Sequence, residues 1–290
     1  MASEYEVVIN GHDQCGEGAF WNAVTNRIVW VDILGKLLHQ FDPASGVHTS
    51  VNVGSHVGTA VPRARGGIVC AVQNGIVAVS EDGRIQSLVE IEADRPQNRF
   101  NDGKADPQGR LWAGTMGYDA TQPTGTLYRI NANLSVHAVL DGIRISNGLD
   151  WTADQSRMYY IDSPTHRIDV FDYEPAEGQI ANRRMLVETS PDLGLPDGMT
   201  LDAEGYLWVA YYGGWGLRRY APDGSLDREI KLPVAQVTTC AFGGPDYADL
   251  YITSAAQRMT RAQLAEQPLA GALFRVRPGV KGRAPFKFAG

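Results

Sequence analysis

The sequence predicts an all-β chain folded as one six-bladed β-propeller spanning residues 1–290. Short apolar runs open at Ile28, Ile68, Leu111, Met158, Leu207 and Leu250, giving spacings of 40, 43, 47, 49 and 43 residues. Each run is followed, after a short connection, by a second strand-like run, so one hairpin occurs six times. The connections are rich in Gly, Asp and Asn, the residues of tight turns. A period of ~40–50 residues built from several short strands is the signature of propeller blades. A solenoid needs a shorter repeat, and a sandwich shows no fixed period.

Taken in order, the run Tyr5–Ile9 has strand character but no partner in the first repeat; it is expected to complete the last blade and cover a sheet edge. The hairpins then pair Arg27–Ile33 with Lys36–Pro43, Gly67–Gln73 with Gly75–Arg84, and Arg110–Thr115 with Gly125–Ala132. They continue with Arg157–Ser163 and Arg167–Glu174, Tyr206–Tyr211 and Leu217–Ser225, and Asp249–Ser254 and Gly271–Pro278. Only Thr260–Pro268 reads as helix, with Thr260 as N-cap and Gln263 as its capping-box partner, a surface insertion. Trp30, Trp112, Trp151, Trp208, Tyr159 and Tyr251 fall in the repeated strands and are expected to pack between blades. The loop Tyr211–Gly216 carries Tyr212 and Trp215 and reads equally as a blade turn or a pocket wall.

Composition narrows the partners. With 43% hydrophobic and 20% charged residues, the chain has the material for a large core and no sign of disorder. A net charge of −7 disfavours nucleic acid and anionic lipid, which require clustered Lys and Arg. The segment Met1–Glu6 has neither a basic nor an apolar leader region, and no stretch approaches the length of a membrane span, so a cytoplasmic location and no membrane partner are expected. Cys15, Cys70 and Cys240 are widely separated and odd in number, which reads as reduced, buried thiols.

In a propeller the innermost strands line a central channel, so residues at one register in every repeat converge on one axis. Counting back from the aligned apolar positions reaches Glu17, Asn101, Asn147 and Asp197, with His56 and either Thr239 or Cys240 in the remaining repeats. Each tetrapeptide alone reads as turn chemistry, since Asn-Gly and Asp-Gly are standard turn pairs. Together, Glu17, Asn147 and Asp197 would offer two carboxylates and an amide oxygen to one point, the ligand set of a hard divalent cation. Without a cation the carboxylates would repel. The six histidines form no His-x-x-x-His pair, which disfavours a zinc-peptidase type of site.

The segments Gly16–Trp21, Asn98–Met116, Ser146–Trp151 and Pro196–Thr200 resemble the SMP-30/gluconolactonase/regucalcin-like family from about Glu17 to the Gly279–Gly282 region, with Asn98–Met116 the most specific part. The resemblance implies a six-bladed propeller holding a single metal ion through Glu17, Asn147 and Asp197. It further implies that Arg99 and Asn101 contact the lactone and its hydroxyls, and that Asp119 occupies a sugar-binding position. Two departures stand out: Asp119 where relatives often carry Glu, and Ala19 where Gly-Glu-Gly-Pro is the commoner form.

The activity so implied is metal-dependent hydrolysis of a sugar (aldono-) lactone to the aldonic acid, in sugar catabolism. The metal would polarise the carbonyl, and Asp197 would be the general base unless a metal-bound hydroxide attacks directly. Ca²⁺, Mg²⁺, Mn²⁺, Fe²⁺ and Zn²⁺ all suit the donors, and a monomer or weak homo-oligomer is expected. An esterase or phosphotriesterase is the nearest enzymatic alternative, although Arg99 beside Asn101 and Asp119 suits a polyhydroxylated substrate better than an apolar one. A non-catalytic calcium-binding propeller is the alternative of a different class.

Overall fold

The structure is a computed structural model that describes residues 5–290. It contains six four-stranded antiparallel sheets. The innermost strands are Gly16–Asn22, Val57–Pro62, Asn98–Ala105, Ser146–Trp151, Leu195–Leu201 and Val237–Gly243, one per blade. Each lies against the next, and Val237–Gly243 lies against Gly16–Asn22, which closes the ring. The blades are numbered 1 to 6 from this first inner strand.

The second strand of each blade is apolar at nearly every position because both of its faces are covered. In Arg27–Asp32, Val29 and Val31 pack toward blade 2, whereas Ile28 and Trp30 pack toward blade 6. The same division recurs around the ring, so the core is six clusters, one between each pair of neighbouring blades. Trp30, Trp112, Trp151, Trp208, Tyr159 and Tyr251 are all buried in these clusters, as expected. Outer strands such as His48–Asn52 and Leu226–Lys231 are exposed and polar, which discourages edge-to-edge pairing.

Glu6–Ile9 pairs with Leu273–Val276 as the outer strand of blade 6, so the last sheet is built from both ends of the described chain. The one α-helix, Arg261–Glu266, has the expected capping box between Thr260 and Gln263 and lies between the second and third strands of blade 6. A C-terminal segment without strands, residues 279–290, crosses the base of the ring. Lys281 O accepts from Ala203 N, Gly282 N donates to Tyr247 O, and the Arg283 guanidinium bonds Asp150 and the Trp151 carbonyl. Phe288, fully buried, then bonds Pro62 across blade 2, and Ala289 bonds Gly109 of blade 3. Among the described residues no helix is long and apolar enough to cross a membrane. The three cysteines are free and buried.

Candidate functional site

Every innermost strand carries an irregularity at the same height. The ladder breaks between Glu17 and Phe20, Val57 and Thr59, Phe100 and Gly103, Ser146 and Leu149, Pro196 and Met199, and Val237 and Cys240. A bulge releases residues from the ladder and re-aims their side chains. Glu17, Asn101, Asn147, Asp197 and Thr238 stand at this height and line one recess at the mouth of the channel, together with Arg99 and Ser163. Glu17, Asn147 and Asp197 come from blades 1, 4 and 5 and are 4%, 3% and 6% exposed. The Asn-Gly and Asp-Gly pairs are therefore strand bulges and not tight turns. Gly148 is required because a Cβ there would lie 2.7 Å from the Asp197 carbonyl of the next blade.

The two asparagines differ in what they leave free. Asn101 Nδ2 donates to Ser146 O at 2.8 Å and its Oδ1 accepts from Arg99 Nη1 at 2.8 Å, so both ends are engaged. Asn147 Nδ2 donates to Ser163 Oγ at 2.8 Å, and Ser163 donates its own proton to Pro196 O at 2.6 Å. With that proton committed, Ser163 can only accept from Asn147, which fixes the amide. Asn147 Oδ1 is left buried without a partner. An orphaned buried acceptor costs ~1–3 kcal/mol unless something donates to it or is coordinated by it.

The carboxylates are under similar tension. Burial pushes the Glu17 carboxyl well above its ordinary value, and the charges of Asp197 and Asp102 push it further. Asp197 is raised by burial and then by Asp102, with the Asn147 amide and Arg99 opposing. Burial pulls the Arg99 guanidinium below its ordinary value, and Arg258 pushes the same way. Two buried carboxylates beside an unpartnered amide oxygen fit a hard divalent cation, whose charge would relieve all three. Among the described residues no three His, Cys, Asp or Glu side chains gather as ligands, and the third oxygen offered here is the Asn147 amide.

Three positions differ from the sequence reading. Asp119 is exposed and outside the recess; its carboxylate accepts from the Thr121 backbone and hydroxyl at 3.1 and 2.9 Å, closing a turn, and Ala120 lines the wall instead. Blade 2 contributes Gly58 at the bulge rather than His56, because a Cβ at Gly58 would lie 2.2 Å from the Asn101 carbonyl. His56 turns aside to bond the Tyr118 hydroxyl at 2.6 Å. In blade 6 the lining residue is Thr238, which donates to Gly16 O at 2.5 Å, and not Thr239 or Cys240. Of the two aromatics in the Tyr211–Gly216 loop, Tyr212 lines the recess, its phenol pushed up to about 12 chiefly by burial. Trp215 does not line it and is 46% exposed.

Sequence reasoning missed four residues. Ser163, which orients Asn147, follows the second strand of blade 4, Arg157–Asp162, and stands where the other repeats carry Ile33, Gln73, Met116, Tyr212 and Ala255, so residue type does not flag it. Asp102 follows Asn101 in the blade 3 bulge and faces the chamber beneath, its carboxyl raised to about 6 by burial. Gln257 and Arg258 reach the mouth from the blade 6 insertion, outside the repeat. The chamber beneath is closed by Arg283–Phe286 of the C-terminal segment.

Comparison with known proteins agrees with this architecture. Regucalcin of Xenopus laevis is 39% identical over 98% of both chains. A Bacillus subtilis (strain 168) protein, named provisionally as the sugar lactone lactonase YvrE, is 38% identical over 95% of both. The solved structure of a calcium-binding protein, regucalcin, from Agrobacterium tumefaciens superposes with a TM-score of 0.94 at 27% identity, covering 97% of this chain and 96% of that one. Residues 15–256, the stretch that runs from the blade 1 loop to the last strands of the ring, match the family described as the SMP-30/Gluconolactonase/LRE-like region, and the chain belongs to that family.

Proposed function

We propose that the chain hydrolyses a sugar (aldono-) lactone to the aldonic acid with one divalent ion held by Glu17, Asn147 and Asp197. The observation that carries this reading is the unpartnered Asn147 Oδ1, buried beside two carboxylates that burial and like charge push well above their ordinary values. Membership of a gluconolactonase family and similarity to a relative named for lactone hydrolysis support the substrate class. When bound, the ion supplies Lewis acidity at the lactone carbonyl.

The side chains supply the rest. Arg99 spends Nη1 on Phe100 O and Asn101 Oδ1, which locks its fork at the recess wall and leaves its other N–H groups for the sugar hydroxyls. Asn101, held from both ends, fixes the distance between Arg99 and the blade 4 strand. Asp197 Oδ takes a proton from water as the water oxygen bonds to the carbonyl carbon. The ring C–O bond then breaks, and the same proton passes to the ring oxygen, which leaves as a hydroxyl.

The same donors would serve a calcium-binding propeller without turnover, a reading favoured by similarity to the Agrobacterium regucalcin, which is described as a calcium-binding protein. One experiment separates the two: acid release from five- and six-membered aldonolactones, corrected for spontaneous opening, after chelation and after readdition of each of Ca²⁺, Mg²⁺, Mn²⁺, Fe²⁺ and Zn²⁺. Metal-restored turnover supports the lactonase. Metal uptake with no turnover on any lactone, aryl ester or phosphotriester would leave only binding.

A further inference from the structure

Arg258 stands at the mouth with nothing in the ring to hold it. It lies between the second strand of blade 6, Asp249–Ser254, and the helix Arg261–Glu266. Its neighbours are tied down: Ala256 N donates to Asp13 O at 3.1 Å, Gln257 N to Gln14 O at 2.8 Å, and Gln257 Nε2 to Cys15 Sγ at 3.2 Å. Arg258 itself is held at a φ of 60°, a left-handed conformation that a side chain of this size rarely adopts.

Arg258 is exposed at the rim of the recess that Arg99 lines from within, and among the described residues its guanidinium makes no hydrogen bond and no ion pair, so it is free to meet a ligand. Arg110, Arg219 and Arg283, by contrast, are each neutralised by a buried aspartate. The charge balance at the mouth then has a remainder. The carboxylates of Glu17 and Asp197 would offset a divalent ion and Asp102 lies in the chamber beneath, which leaves the positive charges of Arg99 and Arg258 facing the recess.

We propose that Arg258 binds an anionic group at the end of the lactone remote from its ester, so that the substrate class is a sugar lactone carrying a second acid group. This rests on the lactonase reading above. A carboxylate and a phosphate share the required chemistry, since either accepts a forked pair of N–H bonds from a guanidinium. Neutral aldonolactones would bind with this fork unsatisfied.

The test compares kcat/KM at fixed ionic strength for gluconolactone, a glucarolactone and phosphorylated gluconolactone. The expected result is a preference of at least ~10-fold for one of the acids, the size a charge-assisted contact supplies. In Arg258→Gln that ratio should collapse, through KM rather than kcat, and Arg258→Lys should restore part of it. Equilibrium binding of glucarate, phosphogluconate and gluconate gives a second readout that needs no turnover. Turnover without acid preference, or acid preference that survives Arg258→Gln, overturns the proposal and leaves the lactonase reading intact. Arg258-dependent discrimination among the acids with no lactone turned over sinks the lactonase reading and keeps the anion site. Equal binding of the three acids, or none, removes the anion site.

Discussion

At the base of blades 3 and 5, Asp106 and Asp202 occupy the same turn, Asp-x-x-Gly-x-Leu-Trp, and each is surrounded by donors. Asp106 accepts from Gln108 N, Arg110 N, Arg110 Nε, Trp112 Nε1 and the Tyr173 hydroxyl at 2.6–3.0 Å. Asp202 accepts from Glu204 N, Tyr206 N, Trp208 Nε1 and Arg219 Nε at 2.8–3.0 Å. At the mouth the pattern reverses. Glu17 accepts only from Gly18 N among the described residues, and Asp197 has Asn147 and Gly198 set against the charge of Asp102. Burial is comparable at the two ends, so burial alone does not separate a structural carboxylate from a functional one. The supply of donors does: the basal pair is complete without a ligand, and the mouth pair is not.

The sharpest break of this contrast is Asp197→Asn. On the proposed mechanism lactone hydrolysis should fall on the order of 10³-fold or more, since one change would remove both the proposed ligand and the proposed base. Unfolding of the metal-free protein by urea should show equal or greater stability, because a buried charge has gone. Retained turnover would falsify the assignment. At the base, Asp106→Ala leaves Arg110 and the Trp112 indole stranded and should cost about 3–5 kcal/mol in urea unfolding. The folded fraction of that variant should keep its activity per molecule; a loss at 10 °C that exceeds its unfolded fraction would mean the two ends are not independent.

A finer cut is Ser163→Ala, which frees the Asn147 amide to rotate. Metal affinity measured by calorimetry should drop by ~10–100-fold, as for other groups that orient a ligand, with stability changed by only ~1 kcal/mol. The smallest effect concerns Asp102, whose carboxyl is raised from 3.8 to about 6, mainly by burial. A raised acid favours the folded state while protonated, so its contribution is complete below its ordinary value and is lost as pH climbs through about 6. The stability gain of Asp102→Asn over wild type, both metal-free, should grow across that window to on the order of 3 kcal/mol. A pH-independent difference would show that Asp102 does not feel the burial.

Much of this was legible in the sequence because the repeat carries the geometry. Glu17, Asn147 and Asp197 share a register, and the double-sided apolar strands announce themselves as continuous runs such as Ile28–Val31. Where the register shifted, so did the reading. The bulge residue lies ten positions before Ile68 at Gly58 but twelve before Leu250 at Thr238, so hairpin length blurs the count. His56 was reached by the count from Ile68, whereas blade 2 needs a residue with no side chain at the bulge. Asp119 belongs to a turn whose course depends on Thr121, which no periodicity encodes. Arg258 and the C-terminal crossing lie outside the repeat, and Ser163, though within it, acts through contacts to Asn147 and Pro196 that no repeat pattern encodes.

That crossing gives the channel a single door. With Arg283 latched to Asp150 and Phe288 sunk between blades 2 and 3, the base of the ring is covered and the recess is reached from its rim. On the lactonase proposal the acid would leave through the mouth by which the lactone enters and could rebind the recess it vacates, so inhibition by product should be competitive and should strengthen with the product's charge.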